Sequence, residues 1–289
     1  MKDIYNYIDE NIEEYVSDLQ ELIRKPSVSA QNIGLEECAE FVKNQMHKDG
    51  LPAELHEIPG GPPLVFGHLQ SSLSKKTLFC YSHYDVQPPE PIEKWSHGGP
   101  WSGALVDNVI YGRGATDNKG GLLAFNKAAK AFLQVRGEVP LNLKFFYEGE
   151  EEIGSVHLGP WVEKNKKLLE ADGMHCLDGT VDTFAKVPEV ELGLKSVLFI
   201  ELIARGGSKD IHSLNFPLVP SPPWDIVHAL STIMSRDRKI LIKDWYEGLY
   251  ELGEEEINLL NEKNERVDLS ALKKEFGIEK FVLDRDGVE

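Results

Sequence analysis

Three features of the sequence predict an α/β fold with a mixed sheet flanked by helices. Apolar runs of strand length alternate with longer segments of helical periodicity. The apolar content, 41% of 289 residues, is enough for a substantial core. Polar residues able to do chemistry fall directly after the strand patterns, where crevices open in sheets of this class.

The first element is a one-sided helical stripe over Asp3–Arg24, marked by Ile4, Ile8, Ile12, Tyr15, Val16, Leu19, Leu22 and Ile23. It stops before Pro26, whose ring disfavours helical backbone in the residue preceding it. A second helix over Leu35–Lys48 is closed by Gly50. Strand patterns follow at Pro63–His68, Thr77–Tyr81 and Leu141–Tyr147, with weaker ones at Val109–Tyr111 and Met174–Leu177. Between them, Gly120–Val135 (GGLLAFNKAAKAFLQV) has the Ala and Leu content of a helix packed on a sheet. After Gly193 the texture changes. Ser196–Arg205 alternates like a half-exposed strand, and Pro222–Ser235 reads as a helix with proline in its first turn. Two charged helical segments cover Glu254–Asn264 and Leu269–Phe276. A strand and helix away from the first sheet predict a second, small α+β domain, which gives domains at residues 1–193 and 194–289.

Composition excludes some classes of function. With 48 acidic against 31 basic residues, the net charge of −17 repels phosphate backbones and anionic bilayers, so neither nucleic acid nor membrane is an expected partner. The N-terminal MKDIYNYIDENIEEYV is acidic and lacks a continuous apolar run, unlike a signal peptide or membrane helix, and a cytoplasmic location is expected. Cys38, Cys80 and Cys176 show no CxxC spacing, which argues against a disulfide framework and against a thiolate zinc site. They are expected to be small buried apolar residues.

Acidic and histidine residues cluster after the strands. His83 and Asp85 follow Thr77–Tyr81, while Glu150, Glu151 and Glu152 follow Leu141–Tyr147. Asp178 follows Met174–Leu177, and Asp117 precedes the helix from Gly120. Taken singly, each has an ordinary explanation: a surface turn, acidic residues at a helix start, or an N-cap. Taken together they make a thiolate-free imidazole and carboxylate set that suits zinc, cobalt or manganese with a position open to water. Asp117 is a candidate bridge between two metals. Asp85 stands close enough to accept the second ring proton of His83. Adjacent Glu151 and Glu152 are able to divide the labour, one binding metal and the other taking a proton from water.

SHYDVQP (Ser82–Pro88), GRGATDNKGG (Gly112–Gly121) and YEGEEEIGS (Tyr147–Ser155), in this order, resemble the aminoacylase/carnosinase family of two-zinc metallopeptidases. That family also holds acetylornithine deacetylase, succinyl-diaminopimelate desuccinylase and a glutamate carboxypeptidase, and HYDVQP is most similar to its dipeptidase branch. The resemblance implies a zinc-exopeptidase-like catalytic domain and a ferredoxin-like lid that begins near Leu194 and dimerises. It implies that His83 binds one zinc with Asp85 orienting it, and that Asp117 bridges both metals. Glu151 would be the general base and Glu152 a ligand of the second metal. Asp178, or alternatively Asp182, would complete the first metal's shell. GGSKDIHS resembles the motif whose histidine, here His212, reaches a partner's active site and stabilises the oxyanion.

The implied cofactors are two zinc ions, with manganese or cobalt as substitutes, and the implied substrate is a small peptide. The expected reaction is hydrolysis of a dipeptide or short peptide by a metal-bound hydroxide. An N-acyl amino acid deacylase is the alternative, since it needs the same activated water. A third reading is an inactive fragment that only binds metal and dimerises. It arises because family members run longer and return from the lid with a final metal-binding histidine. After Asp210–Ser213 only His228 remains, on the expected lid helix and with an expected structural role. The sequence is therefore expected to stop inside the lid and to lack one ligand of the second metal.

Overall fold

A computed structural model of the chain describes residues 1–178 and 197–281. Two compact units are present, Met1–Thr180 and Val181–Glu289. The expected domain border at 193/194 and the alternative ligand Asp182 lie outside the described residues.

In the first unit, the expected N-terminal helix is two helices, α1 (Lys2–Glu10) and α2 (Ile12–Ile23). The break is at Asn11, whose backbone leaves the helical region and whose Nδ2 donates to the Tyr7 carbonyl at 2.7 Å. This local bond competes with helix continuation, a property of asparagine that apolar periodicity does not register. Helix α3 (Leu35–Lys48) keeps its expected bounds and starts after Gly34 at φ 68°. A Cβ there would lie 2.2 Å from the Pro26 carbonyl oxygen, so the position requires glycine.

The remaining elements of this unit are β1 (Glu54–His56), β2 (Leu64–Leu69), β3 (Thr77–His83), β4 (Ala104–Val106), β5 (Val109–Tyr111), α4 (Lys119–Arg136), β6 (Asn142–Glu148), α5 (Leu158–Lys164), α6 (Lys166–Leu169) and β7 (Gly173–Cys176). The main sheet has the order β1-β2-β6-β3-β7. Strand β3 runs parallel to both β6 and β7, while β2 is antiparallel to β6 and to β1. Strands β4 and β5 form a separate hairpin through Asp107 and Asn108, both at positive φ. Val109–Tyr111 is thus a strand outside the main sheet.

Side chains alternate across the sheet with period two. Val65, Cys80, Phe145 and Tyr147 face one core with Leu22, Val42, Met46 and Leu122 from α2, α3 and α4. Leu64, Phe66, Phe79 and Phe146 face the other, with Trp161 of α5 and Leu168 and Leu169 of α6 against them. Helices therefore cover both faces, and the central strands read as nearly continuous apolar runs.

A buried ionic network ties the helical layer together. Lys127 Nζ of α4 donates to Asp49 Oδ1 at 2.8 Å and to Asp18 Oδ2 at 2.5 Å. Lys130 bonds Glu14 at 2.8 Å and lies 3.0 Å from Asp49, and Lys48 bonds Asp18 at 2.9 Å. Burial raises the Asp18 carboxyl, but the Lys127 and Lys48 hydrogen bonds outweigh it and hold the group below the ordinary range.

In the second unit, residues 197–205 form no strand, although Ser196–Arg205 alternates as one, and Val197 and Phe199 are 92% and 91% exposed. A strand needs a partner to satisfy its backbone, and among described residues 197–281 the one β-bridge joins Met234 and Ile240. The ferredoxin-like sheet of a lid is not formed among these residues. The helices are α7 (Pro222–Ile233), α8 (Glu254–Arg266) and α9 (Leu269–Phe276), each close to its expected span. Asp268 caps α9 by accepting from the Ser270 and Ala271 amides. No described helix is long and apolar enough to cross a membrane.

Replacing Lys127 with alanine leaves Asp18 and Asp49 buried without their shared cation. The expected cost is about 3 kcal/mol by urea unfolding, the low end for a broken buried pair because Lys48 and Lys130 remain. A loss below about 1 kcal/mol, the scale of an exposed pair, would show that the network does not brace the helices.

Candidate metal centre

The parallel strands β3, β6 and β7 end at one edge of the sheet, and that edge collects the polar residues. His83 is the last residue of β3, and Asp178 lies two residues past β7. Glu151 and Glu152 open a 3-10 turn just after β6, and Asp117 lies in the loop before α4. That loop comes close because residue 121 is glycine: a Cβ there would lie 2.3 Å from the Leu177 carbonyl, on the strand exit leading to Asp178.

His83 is fully buried. Its Nε2 is 3.1 Å from Asp117 Oδ1, 3.4 Å from Asp178 Oδ1 and 3.9 Å from Glu151 Oε2. Despite these approaches, Nε2 has no partner of hydrogen-bond geometry among the described residues. His83, Asp117 and Asp178 each offer a ligand atom, all within 4.8 Å of one another. An orphaned buried nitrogen surrounded by carboxylate oxygens is the arrangement that a divalent cation satisfies. The other ring nitrogen, Nδ1, lies 3.1 Å from the Asp85 carbonyl oxygen and 3.3 Å from Asp85 Oδ1. Both are acceptors, so a proton sits on Nδ1, and Nε2 faces the carboxylates, where a bound ion would displace its proton.

Asp85 is also fully buried. Its Oδ1 accepts from the Glu151 amide and its Oδ2 from the Glu152 amide, each at 3.2 Å. One carboxylate thereby orients the imidazole and anchors the glutamate turn.

The electrostatics reflect crowding of acidic groups. Burial pulls the His83 pKa down, but Asp178 and Asp85 outweigh it and push it up to about 11. Burial raises the Glu151 carboxyl above its ordinary range. His83 opposes this shift, and the charges of Asp178, Glu152 and Asp85 add to it. Burial likewise raises Glu152, opposed by a hydrogen bond from Gln87 and assisted by the charge of Asp117.

Of the residues singled out from the sequence, His83, Asp85, Asp117, Glu151, Glu152 and Asp178 are brought together at this edge. Glu150 turns away, its carboxylate accepting from the backbone and ring of His157. His212 belongs to the second unit, where it is exposed and its Nδ1 accepts from the Leu214 amide at 3.1 Å. Cys38 and Cys80 are buried as expected, but Cys176 is exposed at the end of β7, the outermost strand of the sheet among the described residues.

Sequence reasoning missed several supports. Gln87 bonds Glu152, and Glu148 Oε1 accepts from Tyr81 at 2.6 Å and Ser155 at 2.8 Å beneath the glutamate turn. Lys119 is fully buried and donates to the Leu22 and Lys25 carbonyls at the end of α2. Gln87, Lys119 and Glu148 all fall within the quoted motifs, which was the available signal. A second acidic trio, Glu14, Asp18 and Asp49, is also close enough to hold an ion, but lysines already occupy it.

Residues 79–234 match the profile of Peptidase family M20/M25/M40. The chain is 34% identical to Cys-Gly metallodipeptidase dug1 of Schizosaccharomyces pombe, over 83% of this chain and 53% of that protein. It is 29% identical to human Beta-Ala-His dipeptidase, over 98% of this chain and 59% of the relative. Among solved structures, an M20 family metallo-carboxypeptidase, Sso-CP2 from Sulfolobus solfataricus, superposes with a TM-score of 0.82 at 35% identity, covering 94% of this chain and 61% of that one. The chain thus spans between about half and three fifths of the length of these relatives. A profile match over more than half of the chain, agreement of fold, and polar residues gathered at the sheet edge make this chain a member of Peptidase family M20/M25/M40.

Proposed function

We propose that this chain carries the site of a metal-dependent hydrolase that cleaves the peptide bond of dipeptides or short peptides. The observation that carries the reading is the orphaned Nε2 of His83, buried and facing Asp117, Asp178 and Glu151. His83 and Asp178 are assigned to one ion, Glu152 to a second, and Asp117 to both. Their imidazole and carboxylate donors suit zinc, with manganese or cobalt as substitutes. Such an ion lowers the pKa of water toward neutrality and polarises a carbonyl oxygen.

The chain's own residues do the rest. Asp85 holds the His83 ring and aims Nε2 into the site. Glu151 is the general base: burial keeps its carboxyl raised, which suits a group that accepts a proton near neutral pH. It takes a proton from the attacking water as the carbon–oxygen bond forms, and returns it to the leaving amine as the carbon–nitrogen bond breaks. His212 of a dimer partner is assigned to stabilise the oxyanion; its exposed imidazole supports that role. An N-acyl amino acid deacylase would use the same groups, so substrates rather than ligands separate the two reactions.

Two outcomes test this reading. Zinc at about 100 times its Kd stabilises the wild-type chain by about 2.7 kcal/mol against urea, and His83→Ala abolishes the effect. Equal stabilisation of both proteins would remove the assigned site. Glu151→Gln lowers hydrolysis of a dipeptide panel by about 10²–10⁴-fold without changing zinc-induced stabilisation, and His212→Ala also slows turnover with zinc binding intact. Full activity in Glu151→Gln contradicts the base assignment, and a preference for N-acetyl amino acids over dipeptides favours the deacylase.

A further inference from the structure

Glu151 and Glu152 are neighbours of identical chemistry, yet the proposed reaction gives them different roles. Their hydrogen bonding differs in one respect. Beyond its approach to His83, the Glu151 carboxylate meets no hydrogen-bond donor among the described residues. Glu152 is held by Gln87, whose Nε2 donates to Glu152 Oε2 at 2.8 Å and to the Glu152 backbone carbonyl at 3.1 Å. Both amide hydrogens are spent on one residue, and Oε1 of Glu152 meets no donor among the described residues.

Gln87 is well placed to hold a carboxylate because its backbone is fixed on both sides. Val86 is fully buried and its amide donates to the Ser27 carbonyl at 2.9 Å. Pro88 and Pro89 follow, their carbonyls accepting from Arg113 Nη2 at 3.2 Å and Trp95 Nε1 at 2.6 Å. A side chain leaving so fixed a frame has little backbone freedom left to lose on ordering its partner. Gln87 thus completes a grip from the exit of β3 onto the glutamate turn: Asp85 takes the two amides, and Gln87 takes the Glu152 carbonyl and carboxylate.

We propose that Gln87 is a positioning residue that turns Glu152 toward metal and leaves Glu151 unbound as the base. The inference rests on the reading of Glu152 as a metal ligand. Groups that hydrogen-bond to ligands in this way are typically worth 10- to 100-fold in metal affinity. Because Gln87 is exposed, its replacement does not open a cavity.

The test is a zinc titration of the metal-free chain against a chromophoric chelator, comparing wild type, Gln87→Leu, Gln87→Ala and Glu152→Gln, with the thermal midpoint of each metal-free protein. Glu152→Gln identifies the zinc-binding step that depends on Glu152. In both Gln87 variants that step weakens by about 10- to 100-fold. The other zinc step and the metal-free midpoint stay at wild-type values, which separates positioning from a general loss of structure. If Glu152→Gln weakens zinc binding while both Gln87 variants titrate like wild type, the role of Gln87 is wrong and that of Glu152 stands. If Glu152→Gln also titrates like wild type, the assignment of Glu152 falls and this inference with it. A drop in the metal-free midpoint of both Gln87 variants, matching their loss of zinc affinity, overturns positioning in favour of a structural role.

Discussion

The Asp85 carboxylate has no exposure to solvent, and its two oxygens meet the amides of Glu151 and Glu152 and the Nδ1 of His83. A buried anion is tolerated only where donors replace its lost water. The turn after β6 and the ring at the end of β3 together supply those donors. The same bonds that satisfy Asp85 leave the buried Nε2 of His83 facing Asp117 and Asp178 and set the glutamates beside it. Site geometry is thus a consequence of solvating one carboxylate, and the parallel pairing of β3 with β6 brings the partners into register.

Around that hub the acidic groups crowd a single imidazole. The upward shifts at Glu151 and Glu152 come first from burial, with the charges of neighbouring carboxylates adding to it. The acidic network of Asp18 and Asp49 resolves the same problem differently, with Lys48, Lys127 and Lys130 in direct contact. The contrast separates a structural carboxylate cluster from one kept for an ion: the first brings its own cations, and the second leaves a buried nitrogen unpartnered.

Much of this was legible in the sequence because it depends on local order. The continuous apolar run Phe145, Phe146 and Tyr147 marks a strand buried on both faces, and polar residues directly after such strands mark the strand ends where crevices open. Other features depend on contacts that periodicity cannot carry. Asn11 breaks a continuous apolar stripe through a side-chain bond to Tyr7, and Val109–Tyr111 pairs with its own hairpin instead of the main sheet. The segment starting at Val197 alternates like a strand without a described partner, which shows that alternation is a propensity and pairing a tertiary event. Gln87 was passed over for a similar reason: its role is visible only once the turn after β6 lies against the exit of β3.

Anomalous scattering from a crystal of this chain soaked in zinc tests the central claim most directly. A zinc peak is expected about 2.0–2.2 Å from His83 Nε2 and from carboxylate oxygens of Asp117 and Asp178. A peak absent from that cluster, or found instead among Glu14, Asp18 and Asp49, would contradict it.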